Sequence, residues 1–333
     1  MIATRDFVLY LLKKAGDFVS GEEISEQIGV SRAAVNAAVK SLRNDGYQIE
    51  SVTNKGYRLK GCPPGMLNIG ELLPFLDLSR ALHVTVLDCV DSTNNYLKQL
   101  CSEGKAHPGD CVIANQQTSG RGRAGRQFAS PKGTGIYLSY VLDGQSASAK
   151  ELSEITAWVA VAMQEAIEEA CRISCDIKWV NDLVMQTRKI GGILTEMSLE
   201  AESHRIQYVI TGIGINVNQT EEDFPEALKD MAVSLRMISG NPLNRAALCA
   251  AMIKKLDKLC KDFPKERQSY LEKYRKHCAI LGKELLFSSG EEEIRAHGLA
   301  IDEHFGLVIR KEDGSTDTIT GGEAHVRGFY GST

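Results

Sequence analysis

The segment 117–128 combines two residue types that suit anion binding. Glycine and arginine alternate in it, at Gly120, Arg121, Gly122, Arg123, Gly125 and Arg126. Arginine presents several N–H donors and a fixed positive charge to a carboxylate or phosphate, and glycine lets the backbone approach a ligand closely. Apolar runs at 111–114 and 136–142 flank the segment. We therefore expect a loop between two strands that closes over an anion.

Two segments downstream carry further charged and amide side chains. The first consists of KWVNDL at 178–183 followed by RKIGGILTE at 188–196, and the second is GIGINVN at 212–218.

Context excludes two common nucleotide-binding patterns. Gly120, Gly122 and Gly125 match the spacing of the dinucleotide-binding fingerprint, which requires a helix to begin inside it. The residues that follow, FASPKG at 128–133, do not start a helix, so we reject that interpretation. The sequence contains no GxxxxGK[ST] phosphate loop, and its seven histidines form no cluster.

The first 62 residues have the pattern of a separate winged helix-turn-helix domain. Apolar residues at helical spacing and the N-caps Ser20 and Ser31 predict three helices, with a turn at Gly29. Alternation at 46–52, followed by a turn and a return strand, adds a β-hairpin wing. The residues predicted to contact DNA from the third helix are Ser31, Arg32, Asn36 and Lys40. A winged helix used only for protein contacts is the alternative.

A linker containing glycine and proline at 61–65 separates this domain from a catalytic domain at 66–277. Strands are predicted there at 83–87, 111–114, 136–142, 176–179, 183–186, 193–197 and 206–215, and helices at 95–101, 151–170, 244–262 and 264–277. Short turns between the strands favour a mixed or antiparallel sheet. Short β-like runs at 278–333, with a hairpin signal at Asp313 and Gly314, predict an SH3-like barrel. The expected fold class is α+β with several domains.

Four motifs in a fixed order resemble one enzyme family. They are QTSGRGRAG at 117–125, KWVNDL at 178–183, RKIGGILTE at 188–196 and GIGINVN at 212–218. In this order they resemble the biotin protein ligases. With the winged helix in front, the chain is similar to their bifunctional class, which also represses transcription. The resemblance runs from about residue 5 to 330 and implies a central domain like that of class II synthetases.

The resemblance implies a reaction and its partners. Biotin and ATP, with Mg²⁺, would give biotinyl-5′-AMP, which transfers biotin to a lysine of the biotin carboxyl carrier protein of acetyl-CoA carboxylase. The same adenylate would be the corepressor of biotin genes, and a homodimer formed in its presence would bind operator DNA.

The resemblance also implies the site residues. The implied catalytic residues are Lys189, Arg123 and Arg121. The implied biotin-binding residues are Ser92, Thr93, Asn94, Gln117, Gly120, Arg121, Gly122, Arg123, Lys189, Gly191 and Gly192. The implied nucleotide-binding residues are Arg123, Phe128, Asn181, Asp182, Lys189, Asn216 and Arg327, and Asp182 is also the implied metal ligand.

Several of these residues have a structural alternative. Ser92 and Thr93 could cap a helix, and Asp182 could cap a turn. Lys178 is expected to be a structural charge, and Trp179 a core residue.

Two residues depart from the family pattern. Val180 stands where the family usually has proline. Valine has a backbone N–H and a free φ, both of which proline lacks, so the turn presenting Asn181 is expected to be more flexible. Phe128 stands where tryptophan is frequent, and it keeps an aromatic plug without the indole donor.

Composition limits the remaining function classes. Hydrophobic residues make up 43% and charged residues 25% of the chain, and the net charge is −4, as in ordinary globular proteins. We expect no membrane span and no signal peptide. The nine cysteines are scattered without a CxxC pair, which predicts a reducing cytoplasm.

Two other functions fit the motifs less well. A lipoate–protein ligase is disfavoured because the glycine–arginine segment is of the biotin type. A biotin-sensing repressor without catalysis is disfavoured because Arg121, Arg123, Asp182 and Lys189 are all present.

Overall fold

The computed structural model describes residues 2–144, 147–199, 206–289, 292–321, 323–326 and 329–330. The helices are α1 Thr4–Ala15, α2 Gly21–Ile28, α3 Arg32–Asn44, α4 Ile69–Leu72, α5 Leu78–Ala81, α6 Thr93–Ser102, α7 Ala149–Ser153, α8 Ile155–Cys171, α9 Leu235–Ser239, α10 Arg245–Asp262 and α11 Arg267–His277. The strands are β1 Gln48–Val52, β2 Gly56–Gly61, β3 Val84–Leu87, β4 Cys111–Ala114, β5 Ile136–Leu142, β6 Asp176–Lys178, β7 Asp182–Met185, β8 Arg188–Leu199, β9 Ile206–Ile215, β10 Glu284–Ser289, β11 Glu292–Ile301, β12 Leu307–Lys311, β13 Thr316–Ile319 and β14 Glu323–Val326.

The N-terminal residues form the predicted winged helix-turn-helix. The side chains of Ser20 and Ser31 accept hydrogen bonds from the first turns of α2 and α3, which satisfies backbone donors that a helix start leaves free. Gly29 ends α2 with a φ of 72°, in the left-handed region that favours glycine. Strands β1 and β2 pair antiparallel as the wing. This prediction is confirmed.

The winged-helix module packs on the central domain through the short helix α4, which the sequence patterns did not indicate. The backbone of Gly70 lies so close to Leu9 of α1 that a β-carbon would be 2.9 Å from Leu9 Cδ2. The carboxylate of Glu71 is largely buried, accepts a hydrogen bond from Tyr47 Oη at 2.9 Å and pairs with Lys13. Apolar packing and a buried polar contact therefore join the module to the domain beyond the linker.

The central domain contains the predicted mixed sheet. Its seven strands lie in the order β3-β4-β5-β9-β8-β7-β6, with β3 and β4 parallel and the other neighbours antiparallel. Helix α8 is buried along most of its length and packs with α10 and α11 in the main core. Helix α6 packs on the sheet through a second apolar cluster around Leu97. The sheet is therefore covered by helices in its central part.

Two predicted elements differ from the structure. The strand predicted at 193–197 begins at Arg188 instead, because Gly191 pairs with Ile215 of β9 although it contributes no side chain to an alternating pattern. The helix predicted at 151–170 is divided into α7 and α8 at Glu154. The side chain of Glu154 is buried there and pairs with His304 and Arg267.

The C-terminal residues form a five-stranded antiparallel sheet in the order β13-β12-β11-β10-β14. The predicted turn between β12 and β13 is confirmed, with a φ of 86° at Gly314. Among the described residues no pairing connects β13 to β14, so the sheet is open and the predicted barrel stays a prediction. Within the same residues, no helix is long and apolar enough to cross a membrane.

Candidate functional site

The loop 117–128, the start of α6 and the strands β8 and β9 line one shared cavity. Its lining combines polar, charged and apolar side chains, as small-molecule sites do. The residues implied by the family resemblance that line it are Ser92, Thr93, Asn94, Gln117, Arg121, Gly122, Arg123, Phe128, Asn181, Lys189 and Gly192. Residues that lie far apart in the sequence are thus brought to one cavity.

The loop 117–128 folds back on itself over this cavity. Gly122 N donates to the carbonyl of Arg126 at 2.7 Å, and Phe128 N donates to the carbonyl of Gly120 at 2.9 Å. The tip is a single 3₁₀ turn, at Arg123–Gly125. The structure therefore shows the loop in a closed, hydrogen-bonded form.

One end of the cavity is a network of uncharged polar side chains. Gln117 Oε1 accepts from the backbone N of Thr93 at 2.9 Å and from its hydroxyl at 3.1 Å. Gln117 Nε2 donates to Ser130 Oγ at 2.9 Å. Ser139 Oγ lies 2.7 Å from Thr93 Oγ1 and also contacts Asn94 Oδ1. These contacts fix the amide and hydroxyl groups in place, as expected of a site that recognises a polar uncharged group.

Glu196 contacts both this polar network and the loop 117–128. Its carboxylate accepts from Asn94 Nδ2 at 2.8 Å, pairs with Lys98, and lies 3.4 Å from Arg121 Nη1. Burial would raise the pKa of Glu196, but the bonds from Lys98 and Asn94 outweigh it and lower that pKa. Arg121, which also donates to Asn95 Oδ1 at 2.9 Å, is thus directed at Glu196 in this structure.

The other end of the cavity is cationic. Arg123 Nη1 donates to Asn181 Oδ1 at 2.9 Å, and Lys189 Nζ lies 2.6 Å from Asp182 Oδ1. Tyr330 Oη donates to Asp182 Oδ2 at 2.7 Å. Burial would raise the pKa of Asp182, but the Lys189 ammonium and these hydrogen bonds outweigh it and hold that pKa below its ordinary value. Asp182 is therefore ionised and orients the lysine.

Two glycines of β9 let side chains lie directly against the strand. A β-carbon on Gly212 would be 2.3 Å from Asn94 Oδ1, and one on Gly214 would be 2.5 Å from the ring of Phe128. Any side chain at these positions would displace its neighbour. The Gly-x-Gly spacing of the motif thus creates room for the polar network and for the aromatic ring that covers it.

Four of the implied residues that the structure describes do not line the cavity, namely Gly120, Asp182, Gly191 and Asn216. Gly120 supports the loop, since a β-carbon there would be 2.4 Å from the carbonyl oxygen of Phe128. Gly191 is packed against Ile215. Asn216 Nδ2 lies 3.4 Å from the carbonyls of Lys189 and Val233, so its amide is engaged with backbone.

Other predicted residues near the site have clear positions. Trp179 is buried and donates from its indole to the carbonyl of Phe305 at 2.9 Å, consistent with a core role. Lys178 is buried, with Nζ 4.2 Å from the ring centroid of Tyr330. The peptide bond between Trp179 and Val180 is cis. Arg327 lies outside the described residues.

The sequence analysis did not single out four side chains of this site: Ser130, Ser139, Glu196 and Tyr330. Ser139 is the only hydroxyl-bearing side chain besides tyrosine in the apolar run 136–142, which was a usable signal. Glu196 ends one of the four motifs. Tyr330 is 148 positions from its partner Asp182, and no local pattern indicates that contact.

A resident metal ion does not fit Asp182 as it is placed here. Both carboxylate oxygens already have protein partners, whereas Mg²⁺ requires several oxygen ligands. Across the described ranges, no three His, Cys, Asp or Glu side chains are grouped so as to hold a metal ion. The predicted metal role of Asp182 stays a prediction.

The residues predicted to bind DNA share one exposed side of the winged-helix module. Ser31, Arg32, Asn36 and Lys40 are all exposed on or just before α3. Arg32 pairs with Glu22 at 2.7 Å, and the Ser31 hydroxyl accepts from Ala34 N at 3.1 Å. Their spacing places them on the first turns of the second helix of the motif, the part that contacts bases in such domains.

Comparisons with known proteins agree with this arrangement. Residues 86–216 match the Biotin/lipoate A/B protein ligase family, and residues 4–58 match an HTH domain. The Bifunctional ligase/repressor BirA of Bacillus spizizenii is 39% identical over 261 residues, which are 78% of this chain and 79% of that protein. The protein of the same name from Escherichia coli is 32% identical over 322 residues, 96% of each chain. The chain belongs to this family of bifunctional ligase/repressors.

A solved structure of a biotin protein ligase shares the fold of most of this chain. A biotin protein ligase from Aquifex aeolicus in complex with biotin and ATP is 32% identical, with a TM-score of 0.62 over 73% of this chain and 98% of that one. The family assignment therefore agrees in sequence and in fold.

Proposed function

We infer that this chain is an ATP-dependent biotin protein ligase that also acts as a DNA-binding, biotin-responsive repressor. The observation that carries this conclusion is a single cavity with an uncharged hydrogen-bonding network at one end and Arg123 and Lys189 at the other. Biotin has the same polarity, with a ureido ring at one end and a carboxylate at the other. Family membership supports both activities.

We propose that the first step joins biotin to AMP. A carboxylate oxygen of biotin attacks the α-phosphorus of ATP, the bond from that phosphorus to the β-phosphate oxygen breaks, and pyrophosphate leaves with the electron pair. Two anions approach each other in this step, so fixed cations that are already in place lower its barrier. Lys189 and Arg123 would supply them, and the ionised Asp182 would keep Lys189 in position.

The remaining residue roles rest on the family resemblance and, for the residues that line the cavity, on their places in it. Ser92, Thr93, Asn94 and Gln117 would bind the ureido group, with Ser139 orienting two of them. Arg121 would move from Glu196 to the adenylate. Phe128 would exclude water from the anhydride. Asn181, Asn216 and Arg327 would serve the nucleotide. Mg²⁺ would enter with ATP as its complex, since the protein groups present do not fit a resident ion.

In the second step an uncharged lysine amine of the acceptor attacks the carbonyl carbon of biotinyl-AMP. The bond from that carbon to the phosphate oxygen breaks, AMP leaves, and the nitrogen loses a proton as the amide forms. The proposed acceptor is the biotin carboxyl carrier protein of acetyl-CoA carboxylase. We place this chemistry in a domain at 66–277, followed at 278–333 by strands that would close into an SH3-like barrel.

The repressor activity is proposed to use the same adenylate as corepressor. Ligand that orders the loop 117–128 would favour a homodimer, and two copies of α3 would then bind a two-fold operator. The domain limit at residue 62 and a cytoplasmic location are parts of the same proposal.

The deciding experiment is transfer of labelled biotin to a purified biotin carboxyl carrier domain in the presence of ATP and Mg²⁺. We expect label on the carrier lysine and none when that lysine is replaced by arginine. Transfer of lipoate in place of biotin, or no transfer at all, would contradict the proposed function.

A further inference from the structure

Tyr330 brings a hydroxyl group from the end of the chain to the carboxylate that orients Lys189. Its Oη donates to Asp182 Oδ2 at 2.7 Å, on the opposite oxygen from the one that Lys189 contacts. Its backbone N donates to the carbonyl of Thr187 at 3.0 Å, in the turn between β7 and β8. The side chain and the backbone of Tyr330 therefore both contact the β7–β8 hairpin, which carries Asp182 and Lys189.

The aromatic ring of Tyr330 makes a second contact in the same place. Lys178 Nζ lies 4.2 Å from the ring centroid, and Lys178 is only 7% exposed. A cation over an aromatic face is attracted more strongly when both are shielded from water. Tyr330 thus contacts β6 through its ring and β7 through its hydroxyl.

Hydrogen bonds on both carboxylate oxygens fix the plane of Asp182. Asn181 Nδ2 is 3.2 Å from Oδ1, and Asn181 in turn accepts from Arg123 of the loop. A continuous series of contacts therefore connects Tyr330, through Asp182 and Asn181, to the two cations of the cavity, Lys189 and Arg123. If the bond from Tyr330 were lost, one carboxylate oxygen would lose its fixed partner and Asp182 would rotate more freely.

We propose that Tyr330 is a positioning residue for adenylate formation, which acts through Asp182 to hold Lys189 at the biotin carboxylate. The proposal rests on the proposed ligase function. Under this proposal Tyr330 belongs to the site of the first chemical step, in addition to any contact that this part of the chain makes with the acceptor.

The chain contains a matched control for this contact. Asp257 pairs with Arg80 Nε at 2.7 Å and accepts from Tyr140 Oη at 2.8 Å, which is the same combination of carboxylate, cation and phenol away from the cavity. Replacing either tyrosine by phenylalanine removes one hydroxyl from an otherwise similar contact.

The test measures the rate of the first, single-turnover release of pyrophosphate from biotin and ATP without acceptor, in the full-length chain. We expect Tyr330→Phe to lower this adenylation rate about tenfold, as for the loss of one hydrogen bond to a charged group, and to leave the Kd for biotin alone unchanged. Tyr140→Phe should retain the wild-type adenylation rate. In a double-mutant cycle, Tyr330→Phe should have little further effect when Asp182→Ala is already present, because the carboxylate through which the hydroxyl acts is then absent.

Four results would overturn the proposal. A wild-type adenylation rate for Tyr330→Phe would show that the hydroxyl is not needed, and additive losses in the cycle would show that it does not act through Asp182. A normal adenylation rate with a defect confined to transfer from added biotinyl-AMP would assign Tyr330 to the acceptor step. If the wild-type chain released no pyrophosphate, the proposed function itself would be wrong, and the role of Tyr330 with it.

Discussion

At the residue scale, Arg123 connects the loop 117–128 to Asn181, in the turn between β6 and β7. Its guanidinium donates a hydrogen bond to Asn181. One side chain therefore supplies positive charge to the cavity and also holds the tip of the loop against Asn181. An arginine can do both because its donors are arranged in a rigid, planar fork.

We predict that Arg123→Gly loses biotinyl-AMP into solution about ten times faster than the wild type, which corresponds to about 1.4 kcal/mol of lost retention. The substitution removes both the charge and the bond to Asn181. The measurement is the dissociation rate of labelled adenylate from the purified protein. Arg126→Gly, an exposed position in the same loop, is the control and should stay near the wild-type rate. If Arg123→Gly retained biotinyl-AMP as well as the wild type does, Arg123 would have no part in closing the cavity.

Sequence analysis located much of this cavity because its residues lie in short motifs. Lys189, Asn181 and the loop arginines occur within such runs, and their chemistry is visible in their types. Asn216 shows the limit of that inference, since a motif residue can be used to hold backbone. The contacts of Glu196 and Tyr330 depend on which strands pair and on how residues far apart in the sequence come together, and residue types do not encode either.

At the scale of elements, α3 is the helix whose exposed side is available to DNA. Lys40 is exposed one turn after Asn36, on the side away from the buried residues Val35 and Val39. A lysine here would neutralise a phosphate and release a counterion, an effect that does not depend on base sequence.

We predict that Lys40→Ala weakens binding to operator and to unrelated DNA by a similar factor and reduces the slope of log K against log salt by about 1. Fluorescence anisotropy across a salt series, with biotinyl-AMP present, measures both. Lys276→Ala, an exposed lysine of α11, is the control. An unchanged slope for Lys40→Ala would place the DNA contact on another surface of the module.

Predicted helices and strands were most accurate where a run of apolar side chains contains no glycine, as in β5, which matches the predicted 136–142. They were less accurate where glycine pairs or a buried charge intervene. Strand β8 extends through Gly191 and Gly192 because backbone pairing does not require a side chain. The division at Glu154 depends on His304 and Arg267, which come from distant parts of the chain.

At the scale of the whole molecule, the buried carboxylate of Glu71 joins the two functional parts. It accepts from Tyr47 of the winged-helix module and pairs with Lys13 of α1. Removing one partner of a buried ion pair lowers the free energy of unfolding by more than the intact pair contributes to it, because the remaining charge is buried without a partner.

We predict that Lys13→Met lowers the free energy of unfolding by roughly 1–3 kcal/mol and increases tryptic cleavage after the exposed Lys60, immediately before the linker 61–65. Adding Glu71→Gln should recover much of the loss, since the uncompensated charge is then removed. Thermal unfolding and limited trypsin digestion give the two measurements. Lys14→Met changes an exposed neighbour and should behave as the wild type. Equal stability of Lys13→Met and Lys14→Met would show that the Lys13–Glu71 pair does not hold the domains together.

The contact between Phe128 and Gly214 sets a limit on how this protein can vary. The aromatic ring lies where any larger residue at position 214 would place its β-carbon. Substitution at 214 would therefore leave the sheet paired and stable while keeping the ring away from the strand. Such a variant would fold, accumulate and still fail to keep its intermediate from water, so selection at this position would act on leakage of a reactive product and not on the amount of folded protein.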